Sequence, residues 1–171
     1  MNLVLLGPQG SGKGTQSEII SKKLKIPHIN MGDLLRKTKG KLKTEINSYI
    51  LHGNLVPDEL MWKLLKSRLS KSDCKNGWIL DNFPRNINQA RMLDEFTKID
   101  KMVEIFIPDN EVLKRASERG RPDDNKKAIR RRLEIYHKDS EILRRHYKIL
   151  QIDGRQELTK ITSEILEFLK R

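Results

Sequence analysis

Lys13 and Thr15 close a glycine-rich stretch, Gly7-Pro-Gln-Gly-Ser-Gly-Lys13-Gly-Thr15, in the spacing G-x-x-x-x-G-K. Glycines at these intervals let the backbone curl until several N–H groups point at one centre, and they admit a phosphate where any Cβ would block it. The N-terminus of a following helix adds partial positive charge, and the Lys13 ammonium can reach the outer phosphates of a bound chain. The chemistry on offer is binding of a nucleotide's phosphates. Such a loop needs a strand before it and a helix after it. Asn2-Leu-Val-Leu-Leu6 is a short apolar run of the kind found in a fully buried parallel strand. From Thr15 to Lys25, Ile19, Ile20 and Leu24 recur at helical spacing, and Pro27 ends that helix. A glycine-rich structural turn would explain the glycines but not their place between these two elements.

The remaining elements alternate in the same way. Pro27 to Asn30 reads as an extended link, and Gly32-Asp-Leu-Leu-Arg36 opens a helix. Residues 31–56 form a small helical insert with Leu42, Ile46, Tyr49 and Ile50 on one face. Asp58 can cap a helix over about 59–70, with Trp62, Leu65 and Leu69 as its inner stripe. Trp78-Ile-Leu-Asp81 is a buried strand that ends in an acid, and Asn86 to Thr97 is helical. Met102 to Ile107 is a third strong strand, followed by a helix through Glu118. After a polar loop from Gly120 to Asn125, a long helix carries Ile129, Leu133, Tyr136 and Leu143 on one face. A strand at Ile149–Ile152 and a final helix with Ile161, Ile165 and Phe168 complete the chain. Strands alternating with helices predict an α/β fold, a parallel sheet covered on both faces.

Composition narrows the class. A chain of 171 residues makes one domain with a real core, and no apolar run is long enough to cross a membrane. Met1 leads straight into the first strand, which predicts no signal peptide. The single cysteine, Cys74, allows no internal disulfide and no cysteine-rich zinc site, and it points to a reducing cytoplasm. The net charge of +12 is concentrated in two segments: residues 1–57 carry nine Lys/Arg against three Asp/Glu, and residues 111–148 carry thirteen against seven. Two substrate-facing arms around polyanions would give this distribution, and so would a split nucleic-acid-binding face. His28, His52, His137 and His146 are scattered and read as structural or surface residues.

Gly10-Ser-Gly-Lys-Gly-Thr-Gln16 resembles the signature of nucleoside monophosphate kinases, adenylate kinase foremost. Met31-Gly-Asp-Leu-Leu-Arg36 resembles that family's acceptor-site helix, and Asp81-Asn-Phe-Pro-Arg85 its G-F-P-R segment. Arg119-Gly-Arg-Pro-Asp-Asp124 resembles a lid ending in G-R-x-D-D, cut back to a few residues. The resemblance is collinear from Leu3 to about residue 160. It implies a P-loop NTPase-type fold with a five-stranded parallel sheet, helices on both faces, an acceptor-binding insert over 31–56 and a truncated lid over 119–125. The core would then be 1–30, 57–118 and 126–171 of a single domain.

The resemblance also distributes roles. Gly10, Ser11, Gly12, Lys13, Gly14 and Thr15 would hold the phosphates of ATP. Arg115 would stack on its adenine, with Arg119 on its phosphates, and the Asp153-Gly-Arg-Gln156 loop would meet the base. Met31, Arg36, Asn54, Leu55, Val56, Asn82, Arg85, Gln89, Arg121 and Arg132 would receive AMP. Lys13, Arg85, Arg119, Arg121 and Arg132 would neutralise the moving phosphoryl group. Asp81, an acid at the end of a buried strand, reads from its own position as a holder of Mg2+, directly or through water, with Thr15 near the phosphates. Helical angles agree for one of these: with Ile129 at zero, Arg132 falls at the edge of the buried face and Arg131 in solvent, so Arg130 and Arg131 read as solvated charges.

Four positions depart from the adenylate kinase pattern: Met31 stands for threonine, Asn82 for glycine, Asn54 for a common lysine, and Asn86 follows the F-P-R-N of pyrimidine-directed relatives. The implied function is Mg2+-dependent transfer from ATP to AMP. A UMP/CMP kinase is the alternative, and a basic ATP-binding protein acting on RNA is the rival from another class. The family implies a monomer without a membrane partner, and the clipped lid leaves room for self-association.

Overall fold

A computed structural model describes residues 1–52, 54–120 and 125–171, with Arg119 described in its backbone alone. Five strands, β1 (Asn2–Leu6), β2 (His28–Asn30), β3 (Trp78–Asp81), β4 (Lys101–Phe106) and β5 (Ile149–Asp153), form one parallel sheet in the order β2-β3-β1-β4-β5. β1 lies at the centre, which is why Leu3, Val4, Leu5 and Leu6 are all buried. Its side chains alternate between two cores. Leu3 and Leu5 meet Ile20 of α1 (Lys13–Leu24) and Ile161, Ile165 and Leu169 of α8 (Leu158–Lys170). Val4 and Leu6 face the other core, built with α4 (Asp58–Leu69) and α5 (Ile87–Phe96).

Two helices, α2 (Met31–Lys37) and α3 (Lys41–Ile50), are seated on that second core through Met31, Leu35 and Ile46. A smaller apolar cluster joins α6 (Asp109–Arg119) to α7 (Lys126–His146) through Val112, Ala116, Ile129 and Leu133. Among the described residues, no helix is long and apolar enough to cross a membrane.

Several local expectations shift. The link before Asn30 is a true edge strand, held by parallel pairing of His28–Asn30 with Ile79–Asp81. The first helix begins at Lys13 rather than Thr15, because Gly12 takes a left-handed φ of 93° as its N-cap. Asp58 does not cap α4: Pro57 holds the cap position, and the Asp58 carboxylate turns towards α5. Met61, not Trp62, completes the buried stripe of α4, and Leu169 rather than Phe168 is the buried residue closing α8.

Candidate functional site

The glycine-rich loop leaves the C-terminal end of the central strand, where open α/β sheets bind ligands. Gly7 has φ of 140°, and a Cβ there would lie 2.1 Å from the backbone oxygen of Ile105. α1 opens without a side-chain cap, so its first N–H groups are turned to the loop. Lys13 is buried and donates to the Pro8 carbonyl at 3.0 Å. Ser11 Oγ is buried with no hydrogen-bond partner among the described residues. Thr15, one turn into the solvent side of α1, is exposed.

Asp81 ends β3 and faces Gly14, where a Cβ would lie 3.7 Å from its Oδ2. Oδ2 accepts from Asn30 Nδ2 at 2.6 Å, and His28 Nε2 lies 3.8 Å away. Oδ1 is buried and has no partner among the described residues. A buried carboxylate oxygen left open beside a phosphate loop is suited to a divalent cation or its water. Among the described residues no group of three His, Cys, Asp or Glu side chains could hold a metal alone.

Met31, Arg36, Asn54, Leu55, Val56, Asn82, Arg85 and Arg132 border one cavity together with Lys13. Arg36 is paired with Asp33 at 2.6 Å. Arg85 donates from Nη2 to Asn82 Oδ1 at 2.8 Å and from Nε to the Asn82 carbonyl at 3.3 Å. Arg132 of α7 crosses to Gln9 Oε1 at 3.1 Å and to the Ile50 carbonyl at 3.0 Å, joining the loop to the insert, while Arg130 and Arg131 are exposed. Burial, and next the Arg132 guanidinium, push the Arg85 pKa below the usual arginine value, and Asp81 acts the other way. Cations gathered this closely make an anion-binding centre.

Gln89 is placed differently from its expected role. It is fully buried and does not border that cavity. Its Oε1 accepts from the Arg85 N–H at 2.8 Å, and its Nε2 donates to Asp58 Oδ1 at 2.8 Å. Asn86 caps α5 by accepting from the Gln89 N–H at 2.8 Å, and its Nδ2 donates to both Asp58 oxygens. In this arrangement Asp58, Asn86 and Gln89 brace the segment that carries Arg85.

Arg115 is half-buried, paired with Glu111 at 2.6 Å, and donates from Nη1 to the Gly10 and Gly154 carbonyls at 3.2 Å each. It therefore ties the phosphate loop to the 153–156 turn, where Gln156 donates through its backbone to Asp153. The expected roles of Arg121 and of the Arg119 side chain lie outside the described residues.

One buried acid escaped the sequence reading. Glu104 on β4 is fully buried and accepts from Tyr136 Oη, Arg144 Nη1 and Gln151 Nε2. Its only signal in the chain is a lone charge inside the apolar run Met102-Val-Glu-Ile105.

A family model described as adenylate kinase matches residues 5–152, most of the chain and every element from the phosphate loop to β5. The chain belongs to the adenylate kinase family. It is 42% identical to adenylate kinase 1 of Nostoc, with 95% of each chain covered. It is 37% identical to the adenylate kinase of Caldicellulosiruptor bescii over 99% of each, and 40% identical to that of Bifidobacterium longum over 99% of this chain and all of the relative. The family makes the chain a nucleoside monophosphate kinase, a phosphotransferase, and favours the ATP:AMP reading over the UMP/CMP and RNA-directed ones. The alignment with the Caldicellulosiruptor relative spans 212 positions, so at least 41 of them have no counterpart in these 171 residues.

Proposed function

We propose that this adenylate kinase family member transfers the terminal phosphoryl group of ATP to AMP, reversibly and with Mg2+, giving two ADP. The observation that carries the reading is the convergence of Lys13, Arg85 and Arg132 on one cavity, with Asp81 open beside the loop. An acceptor phosphate oxygen forms the new bond to the γ-phosphorus as the bond between that phosphorus and the β,γ-bridging oxygen breaks, so ADP leaves as ADP forms. No protein base is required, because the acceptor phosphate is already ionised at neutral pH.

The protein's part is positioning and charge. The first-turn N–H groups of α1, with Gly10, Ser11, Gly12, Gly14 and Thr15, cradle the donor phosphates, and Lys13 follows the migrating group. Arg36 and Arg85 hold the acceptor phosphate, with Arg132 between acceptor and donor. Met31, Leu55 and Val56 enclose the acceptor base, and Asn54 lies at the rim. For Gln89 to reach that base it must exchange its bond with Asp58. Arg115 and the turn at Gln156 frame the donor base, and by the family resemblance Arg119 and Arg121 would help neutralise the moving phosphoryl group. Asp81 and Thr15 would hold Mg2+, which supplies neutralisation of the donor's phosphate charge. The domain division with an insert over 31–56 and a lid over 119–125, a monomeric state and a cytoplasmic location belong to the same reading.

The test is product formation from ATP and Mg2+ with AMP, CMP, UMP and GMP in parallel. ADP forms fastest with AMP, and Lys13→Met lowers turnover by about a hundredfold or more with the fold intact by circular dichroism. Near-normal turnover of Lys13→Met would overturn the assignment.

A further inference from the structure

Asn82 is an uncommon residue for its position. Its φ of 69° is left-handed, a conformation that glycine enters freely and that asparagine tolerates better than most side chains. The adenylate kinase pattern described above has glycine there. The side chain that replaces it is not idle. Its Oδ1 accepts from Arg85 Nη2 at 2.8 Å while its own carbonyl accepts from Arg85 Nε at 3.3 Å. One residue therefore grips the whole Nε–Nη2 edge of the guanidinium. With glycine the carbonyl alone would remain.

The grip decides which edge of Arg85 is available. Nη1, and the second N–H of Nη2, make no hydrogen bond to a described residue, and Arg85 borders one cavity with Asn82, Lys13 and Arg132. The backbone beneath is fixed as well, because the Arg85 N–H donates to Gln89 Oε1. Since Oδ1 is turned to Arg85, the Asn82 Nδ2 donor points away from that guanidinium, and it makes no hydrogen bond to a described residue.

We propose that Asn82 is a positioning residue for the acceptor side: its side-chain oxygen locks the Arg85 guanidinium in the orientation that receives the acceptor's phosphate dianion, and its amide N–H₂ adds no negative charge beside that dianion. The inference rests on the assignment of Arg85 to the acceptor phosphate. A flexible arginine must be immobilised when the acceptor binds, whereas this one is immobilised beforehand. The left-handed backbone is the structural cost of that arrangement.

The experiment compares wild type, Asn82→Gly and Asn82→Asp by steady-state kinetics with each substrate varied in turn, calorimetric titration with AMP, and thermal unfolding. Asn82→Gly relaxes the backbone and frees Arg85. The KM and Kd for AMP rise about three- to tenfold, KM for ATP stays within about twofold, and Tm is unchanged or higher. Asn82→Asp keeps an acceptor for Arg85 but sets a carboxylate against the incoming phosphate, so its KM and Kd for AMP rise further than those of the glycine variant. Unchanged AMP affinity in Asn82→Gly, or equal losses for AMP and ATP, overturns the positioning role while leaving the kinase reading intact. A wild-type protein that neither binds AMP nor turns it over overturns the kinase reading and this inference with it.

Discussion

Asp81 and Glu104 are buried carboxylates on the two strands that flank β1, in register with Leu5 and Leu6 respectively. One ends its strand against the first turn of α1 with an oxygen that no described residue satisfies. The other lies within its strand and is saturated: Tyr136 Oη donates at 2.7 Å, Arg144 Nη1 at 3.2 and 3.0 Å, and Gln151 Nε2 at 2.8 Å. Burial alone does not distinguish a working acid from a structural one. Satisfaction does, because an unpaired buried oxygen costs free energy unless a ligand takes it, whereas a fully paired one has nothing left to give a ligand. The same sheet thus presents an open acid on the β3 side of β1 and a closed one on the β4 side, where it fastens β4 and β5 to α7.

Removing the charge from each acid sharpens the contrast. Asp81→Asn lowers kcat/KM by about 10- to 100-fold at saturating Mg2+, the usual loss when a group that orients a metal or its water is neutralised. Its Tm moves little, since Oδ1 accepts from no described residue and the amide oxygen can still accept from Asn30 Nδ2. A large fall in Tm with activity preserved would reverse the roles assigned to the two acids. Glu104→Gln has the opposite signature. Arg144 loses its counter-charge, and because its side chain is about one-third exposed the loss is about 2 kcal/mol, below the 3–5 kcal/mol of a fully buried pair. That corresponds to a Tm lower by about 4–8 °C for a chain of this size. At temperatures where the variant is folded, kcat and both KM values stay within about twofold, because Glu104, although it borders a cavity with Lys13, Arg85 and Arg132, commits both oxygens to Tyr136, Arg144 and Gln151.

The two acids also differ in how far the sequence revealed them. Asp81 is legible because everything that defines it is local: an apolar strand, an acid at its end, and Phe83-Pro-Arg85 directly after. Lys13 is legible for the same reason, as is the side of α7 that Arg132 occupies, which follows from a helical angle. Glu104 is defined by donors 32, 40 and 47 residues away, and no local pattern announces them. The same limit governs Asp58. Ahead of a helix it reads as a cap, yet its carboxylate is claimed by Asn86 and Gln89, 28 and 31 residues on, and Pro57 supplies the cap position. Gln89 follows from Asp58: a resemblance assigns it to the acceptor base, while the folded chain uses both ends of its amide under Arg85. The three-residue edge strand β2 is too short for any period to show, and only pairing with β3 makes it a strand. Contacts close in sequence were readable, and those made by the sheet and the helices across it were not.

The smallest change tests the comparison at its most delicate point. Tyr136 lies one helical turn beyond Arg132, and burial, followed by the nearby Glu104 charge and their hydrogen bond, raises its pKa well above the usual phenol value. The hydroxyl is therefore a permanent donor to Glu104 across the accessible pH range. Tyr136→Phe keeps the ring and deletes that one bond, leaving Glu104 with Arg144 and Gln151. The cost is about 1 kcal/mol, a drop of about 2–4 °C in Tm, because a carboxylate that keeps most of its donors is only partly uncovered. If the Glu104 cluster is purely a fastening between β4, β5 and α7, the position of Arg132 survives and KM for AMP is unchanged. Should Tyr136→Phe instead lower kcat tenfold at an unaltered Tm, the hydroxyl would be acting through Arg132 on the reacting phosphate. Glu104 would then stand with Asp81 as part of the site.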